Sequence, residues 1–123
     1  MGRSRVMCTP VRPGPPWLTD RPGLVHWRLL SANNRQLGRS AQAFACEAGA
    51  LAAVARLASA LLDAEPEVVL LGRRYGWGWT VTLAGEVEAI SGRGYERSAR
   101  AGHALHLFLA GLPSAAAPPS HVR

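Results

Sequence analysis

Histidines and cysteines are the first side chains to consider for chemistry in this chain. His103 and His106 lie three residues apart in a predicted helix, a spacing that can bind a metal ion. No third ligand accompanies them, which favours solvated histidines on a helix flank. Cys8 and Cys46 are the only cysteines, and they form neither a disulfide framework nor a zinc pattern. The sequence therefore predicts no metal site and no reactive thiol.

Serines and acids give no catalytic arrangement either. Ser40 and Ser91 lack a histidine and an acid placed to activate them, so both are interpreted as structural hydroxyls. Asp63, Glu65 and Glu67 cluster at a helix-to-strand connection, where solvated charges are expected. We predict no catalytic residue and no cofactor, and hence a protein that is not an enzyme.

The tryptophans have two alternative roles, as a stacking platform for nucleic-acid bases or as part of the core. Trp27, Trp77 and Trp79 share the parity of apolar neighbours such as Val25 and Leu29 in alternating segments. This pattern favours burial in a core over exposure to bases.

Charge leaves an alternative function open. The net charge is +6, every basic residue is an arginine, and residues 1–22 carry four of them. The alternative is a nucleic-acid-associated protein whose binding depends on salt and weakens when residues 1–22 are removed. It would bind nucleic acid through the arginines of residues 1–22 together with surface arginines, namely Arg73, Arg74, Arg93, Arg97 and Arg100.

Hydrophobic periodicity predicts the elements that hold these residues. Strands are predicted at 24–31, 37–44, 68–71, 75–83 and 87–92, with a short extended segment at 16–19. Helices are predicted at 47–63 and 99–112. The apolar stripe of the first helix is assigned to Leu51, Val54, Ala55, Ala58, Leu61 and Leu62.

The order of these elements follows an internal sequence repeat, which we call the echo. Trp27, Ser40 and Phe44 recur about fifty residues later as Trp79, Ser91 and Tyr95, which is typical of a duplicated unit. The strands after the turns match least well, because Leu37 aligns with Glu88 and Arg39 aligns with Ile90. A β-bulge could restore the phase. We predict an α+β fold of two tandem β-β-β-α repeats, an antiparallel sheet with both helices packed on one face.

Domain boundaries follow from this pattern. Residues 1–15 are predicted to be a disordered Arg/Pro-rich tail and residues 114–123 a flexible tail. Residues 16–113 are predicted to form a single domain of two repeats, 16–65 and 66–113.

The repeat resembles the YegP-like family. The matching residues are Trp27-Arg28-Leu29, Ala32-Asn33, Ser40, Phe44 and Ala48, then Trp79, Gly85-Glu86, Ser91-Gly92-Arg93-Gly94-Tyr95 and Ala101. The resemblance covers residues 16–113 and implies tandem β-β-β-α units. Because the family has no established activity, the resemblance implies a fold and no chemistry. Thr80 departs from the charged residue usual in the family's second copy, and the lysine common at its helix start is replaced here by Glu47 and by Ala99 or Arg100.

A small cytoplasmic binding or self-association module is the expected function. No apolar run approaches the length of a membrane span, and no secretory signal is evident. Exposed edges of a short strand meander make a homodimer a further expectation.

Overall fold

A computed structural model describes residues 4–11 and 24–116 of the chain. It contains six strands, β1 (Arg5–Pro10), β2 (Val25–Leu30), β3 (Gln36–Ser40), β4 (Glu65–Gly72), β5 (Gly76–Leu83) and β6 (Glu86–Ile90). Two helices, α1 (Glu47–Ser59) and α2 (Ser98–Ala116), follow β3 and β6 respectively. The fold is thus α+β, as predicted.

The six strands form one antiparallel sheet in the order β1-β2-β3-β6-β5-β4. At its centre β3 pairs with β6 through Arg39 opposite Ile90 and Ser40 opposite Ala89. This short central ladder joins β1–β3 to β4–β6.

The core lies between the sheet and the two helices. Alternation along β2 and β5 places apolar side chains on the face that both helices cover. Phe108 of α2 packs against Trp79, with ring centroids 4.6 Å apart, and against Trp27 at 6.1 Å. The buried cluster comprises Trp27, Leu29, Ala50, Val54, Leu57, Trp79, Val81, Ala89, Leu105, Phe108 and Leu112.

The N-terminal boundary of the predicted domain was wrong. Arg5–Pro10 is a strand paired along its length with β2, so residues 1–15 are not simply a disordered tail and the folded unit does not begin at 16. Val6 and Cys8 pack against the core, but the arginines and prolines around them obscured this short alternation. Pro10 is tolerated because β1 is an edge strand. The predicted segment at 16–19 lies outside the described residues.

Both helices differ from prediction at their C-terminal ends. Helix α1 stops at Ser59 and is followed by a 3-10 turn at Leu61–Asp63, whereas α2 runs through Pro113 to Ala116. Ala115 and Ala116 pack against the core, which favours continuation of α2 despite the hydrogen bond that a proline cannot donate. The flexible C-terminal tail therefore cannot start at 114, and its remainder from 117 lies outside the described residues.

The buried face of α1 is displaced from the predicted stripe. Its buried residues are Ala50, Ala53, Val54 and Leu57, whereas Leu51 is 42% exposed. Leu62, assigned to the same stripe, is fully exposed in the 3-10 turn. The alanines also satisfy helical periodicity, and their small side chains permit close packing.

Register shifts occur in β3 and β6 at the residues that align poorly in the sequence. The β2–β3 pairing shifts between Leu29 and Leu30, and the β5–β6 pairing shifts between Val81 and Thr82. The first shift leaves Leu37 without an opposite residue, and the second does the same to Glu88. A bulge is therefore present in each copy, but the two bulges lie at equivalent places and keep β3 and β6 in phase. They do not explain why Leu37 aligns with Glu88.

Candidate anion-binding groove

The loops that lead into the helices are fixed to the sheet in the same way. We call residues 41–46 the α1 loop and residues 92–97 the α2 loop. In the α1 loop, Phe44 exchanges backbone hydrogen bonds of 2.7 and 2.9 Å with Val25. In the α2 loop, Tyr95 exchanges two backbone hydrogen bonds of 2.7 Å with Trp77. The two aromatic residues of the echo thus occupy corresponding places.

Serine hydroxyls support both arrangements. The backbone N–H of Trp27 donates to Ser40 Oγ at 3.3 Å, and that of Trp79 donates to Ser91 Oγ at 3.4 Å. Ser91 also donates to the carbonyl oxygen of Arg93 at 2.9 Å, which ties the α2 loop to the end of β6. Both serines are buried, and these contacts engage their hydroxyls with the backbone.

The side chains of the two loops differ in charge. The α1 loop contains Gln42, Phe44 and Cys46, whereas Arg93, Tyr95 and Arg97 occupy the corresponding places in the α2 loop. Gln42 donates to Glu86 at 3.3 Å. Because the α1 loop adopts its bridge to the sheet without arginine, the backbone arrangement does not require Arg93 or Arg97.

Glycines let the α2 loop approach the sheet closely. A Cβ at Gly94 would overlap the carbonyl oxygen of Tyr75, and one at Gly76 would overlap the carbonyl oxygen of Tyr95. Gly76 also has a φ of +73°, a conformation that glycine adopts readily. The close approach at Gly76 and Gly94 places Tyr95 at the edge of a cavity.

The cavity beside Tyr95 has a volume of about 480 Å³. We call it the Tyr95 groove, and it is lined by Arg35, Gln36, Leu37, Arg93, Tyr95, Arg100, His103, Ala104 and Leu107. Two smaller cavities also reach Tyr95: one of about 410 Å³ includes Arg97, and one of about 360 Å³ includes Arg73 and Arg74. The structure therefore gathers the surface arginines of the alternative hypothesis, but not those of residues 1–22, in cavities that share Tyr95.

The Tyr95 groove and the smaller cavity that contains Arg97 are lined by several arginines. Within the described ranges, Arg35, Arg93, Arg97 and Arg100 take part in no ion pair, whereas Arg56 on α1 pairs with Glu88 at 3.2 Å. Glu96 is the carboxylate that lines the two smaller cavities. Arg93 Cζ lies 4.7 Å from the Tyr95 ring centroid, a cation–π contact. Such a set of guanidinium groups favours an anionic ligand.

The histidines and cysteines that were considered as candidates, and not predicted to form a site, are dispersed. His103 lines the groove and His106 is exposed on α2. In the part of the chain that the structure describes, no three His, Cys, Asp or Glu residues are grouped to hold a metal ion. Cys46 is exposed, whereas burial, reinforced by the negative charge of Glu47, raises the pKa of the half-buried Cys8.

The tryptophans are divided between the core and the surface. Trp27 and Trp79 are buried in the core, as predicted, while Trp77 is only half-buried at the start of β5. Tyr95 is also half-buried and is the aromatic residue that lines the cavities. Sequence reasoning did not identify Arg35, Leu37 or Leu107 as neighbours of Tyr95, because their proximity depends on how α2 packs across the sheet.

No family model matches the chain, and no curated protein or solved structure is significantly similar to it. Neither helix in the described ranges combines the length and the hydropathy that crossing a bilayer requires.

Proposed function

We propose that this protein is a non-enzymatic binding module whose ligand is nucleic acid, held at the Tyr95 groove. The observation that carries this proposal is the convergence of four arginines, Arg35, Arg93, Arg97 and Arg100, on a half-buried tyrosine. Among the residues that the structure describes, none of the four takes part in an ion pair. Arginine is suited to phosphate because its planar fork of N–H donors fits two phosphate oxygens. Tyrosine offers a stacking surface to any base.

The charge difference between the loops supports a ligand-binding role. Unpaired like charges held close together repel one another, and a bound polyanion relieves that repulsion. The α1 loop is anchored in the same way without these charges. The arginines are therefore not needed to anchor the α2 loop, which supports their role as ligand contacts.

We also propose that the chain arose by duplication of a β-β-β-α unit of the YegP-like type. The element order and the paired Trp–Ser contacts support this proposal. So does the central ladder, because Arg39 pairs with Ile90, its own counterpart in the sequence echo. Location in the cytoplasm stays a prediction from the sequence.

Self-association through a sheet edge receives less support. Both edge strands contain a proline, Pro10 in β1 and Pro66 in β4, and β4 also has the exposed acids Glu65 and Glu67. Proline and charge at an edge both discourage the addition of another strand. A homodimer stays a prediction, which light scattering of the full-length protein tests directly.

The binding test compares the full-length protein with the triple variant R93Q/R97Q/R100Q. Fluorescence anisotropy with a labelled single-stranded oligonucleotide of mixed sequence gives Kd over a series of salt concentrations. We expect at least tenfold weaker binding by the triple variant at low salt. The slope of log Kd against log salt should fall by about 2 if three phosphate contacts are lost.

A matched control removes an arginine elsewhere. Arg56→Gln eliminates a positive charge on α1 that is already paired with Glu88, and it should leave Kd nearly unchanged. Binding by the triple variant as tight as that of the wild type would refute the proposal. Deletion of residues 1–22 is not a suitable test, because it would remove β1 from the sheet.

A further inference from the structure

Building on the proposed nucleic-acid function, we infer that the Tyr95 groove accepts one unpaired base, so that the ligand is single-stranded rather than duplex. The groove combines two kinds of surface. Arg35, Arg93 and Arg100 supply cationic groups, while Leu37, Ala104 and Leu107 supply an apolar wall.

The apolar wall distinguishes the groove from a simple phosphate site. Phosphate oxygens need hydrogen-bond donors and gain nothing from contact with leucine side chains. Leu107 is nevertheless 42% exposed beside the arginines, whereas Leu105 and Phe108 on the same helix are buried in the core. An exposed leucine within a ring of cations fits a ligand that is apolar at one end and anionic at the other.

A nucleotide has this division of chemistry. Its planar base can lie against the wall and Tyr95, while its phosphate and the next phosphate contact the arginines. The cavity volume of about 480 Å³ falls in the range of pockets that enclose small ligands. In a duplex each base is paired and stacked between its neighbours, so no base face is free to lie against the apolar wall and Tyr95.

The smaller cavities extend the path for a strand. The cavity with Arg97 shares Arg93, Tyr95 and Arg100 with the Tyr95 groove, and the cavity with Arg73 and Arg74 adjoins it at Tyr95. Cationic side chains therefore continue beyond the Tyr95 groove, in two cavities that share the tyrosine with it, as expected for a backbone that passes a single base-holding position.

The test uses Leu107→Gln and three ligands. These are a single-stranded oligonucleotide, the duplex of the same sequence, and inorganic polyphosphate, which carries the charge without bases. For the wild-type protein we expect binding of the single strand at least tenfold tighter than that of the duplex. Leu107→Gln should weaken single-strand binding about fivefold and leave polyphosphate binding unchanged.

Leu51→Gln is the matched control. Leu51 has the same 42% exposure on α1 and lies outside the groove, so its substitution should not change binding of any of the three ligands. Circular dichroism checks that both variants keep the fold.

The outcomes separate this inference from the proposed function. Duplex binding as tight as single-strand binding, or an unchanged single-strand Kd for Leu107→Gln, would overturn the single-base inference while the triple variant still tests nucleic-acid binding. Absence of binding to both oligonucleotides at low salt would overturn both proposals.

Discussion

The α1 loop and the α2 loop share a way of attaching to the sheet and differ in almost everything they present to solvent. Each has an aromatic residue bridged to a strand and follows a buried serine that accepts a tryptophan N–H. Only the α2 loop carries arginines, and only it borders the cavities beside Tyr95. The comparison separates the residues needed for the backbone from those left available for binding.

The first prediction tests how the core depends on each helix. Phe108→Ala should destabilise the protein by about 4 kcal/mol, because Phe108 contacts both core tryptophans and is fully buried. Leu57→Ala in α1 should cost about 3 kcal/mol, since Leu57 is equally buried but smaller. Urea denaturation measures both values, with Leu62→Ala as an exposed control near zero. A larger loss of stability for Leu57→Ala than for Phe108→Ala would contradict the expectation that Phe108 contributes more to the core.

The second prediction concerns the close approach of the α2 loop. Gly94→Val should cost about 2–3 kcal/mol and weaken oligonucleotide binding, because its Cβ would displace the backbone at Tyr75 and with it Tyr95. Ala43→Val, at the corresponding place in the α1 loop, should cost less than about 1 kcal/mol. Thermal denaturation and anisotropy measure the two effects. Equal destabilisation by both variants would show that the loops do not differ in this contact.

The third and smallest effect depends on pH. Cys8 lies opposite Trp27 in the β1–β2 pair. At the corresponding place in the β4–β5 pair, Val68 lies opposite Trp79, so only the first of these two positions carries a titratable group. Burial raises the pKa of Cys8, and the negative charge of Glu47 raises it further. The folded state therefore holds the thiol proton more tightly than the unfolded state does, and stability declines as pH rises above the ordinary thiol pKa.

Cys8→Val should remove the part of the stability loss at alkaline pH that arises from the Cys8 thiol. Urea denaturation between neutral pH and pH about 10 measures it, with Cys46→Ala as a control that retains the decline. If Cys8→Val shows the same alkaline slope as the wild type, the thiol does not contribute to it.

Sequence patterns predicted the regular parts of this fold because burial imposes a simple period on them. Strict alternation located β2 and β5, and helical periodicity located both helices. The same reasoning missed β1, where Val6 and Cys8 stand among arginines and prolines. It also placed Leu51, Ala55 and Leu62 on the buried stripe of the first helix, although all three are exposed, because alanine satisfies either face and only packing decides between them.

The candidate site was predictable in its residue types and not in its geometry. Arg93, Arg97 and Arg100 stood out as surface arginines near a predicted helix start. Their meeting with Arg35 and Leu107 depends on the position of α2 over the sheet, which no local pattern specifies. The predicted resemblance to the YegP-like family implied no chemistry, so the groove emerges only from the three-dimensional arrangement.

The central ladder between β3 and β6 has a consequence for the order of folding. The β1–β2, β2–β3, β4–β5 and β5–β6 pairs join neighbouring strands, whereas Arg39 and Ile90 come together across about fifty residues of chain. Closing a long segment costs more entropy than closing a hairpin, and contacts distant in sequence slow folding. We therefore expect the local hairpins to form early and the junction at Arg39 and Ile90 to form late, with Phe108 closing over both tryptophans at that step.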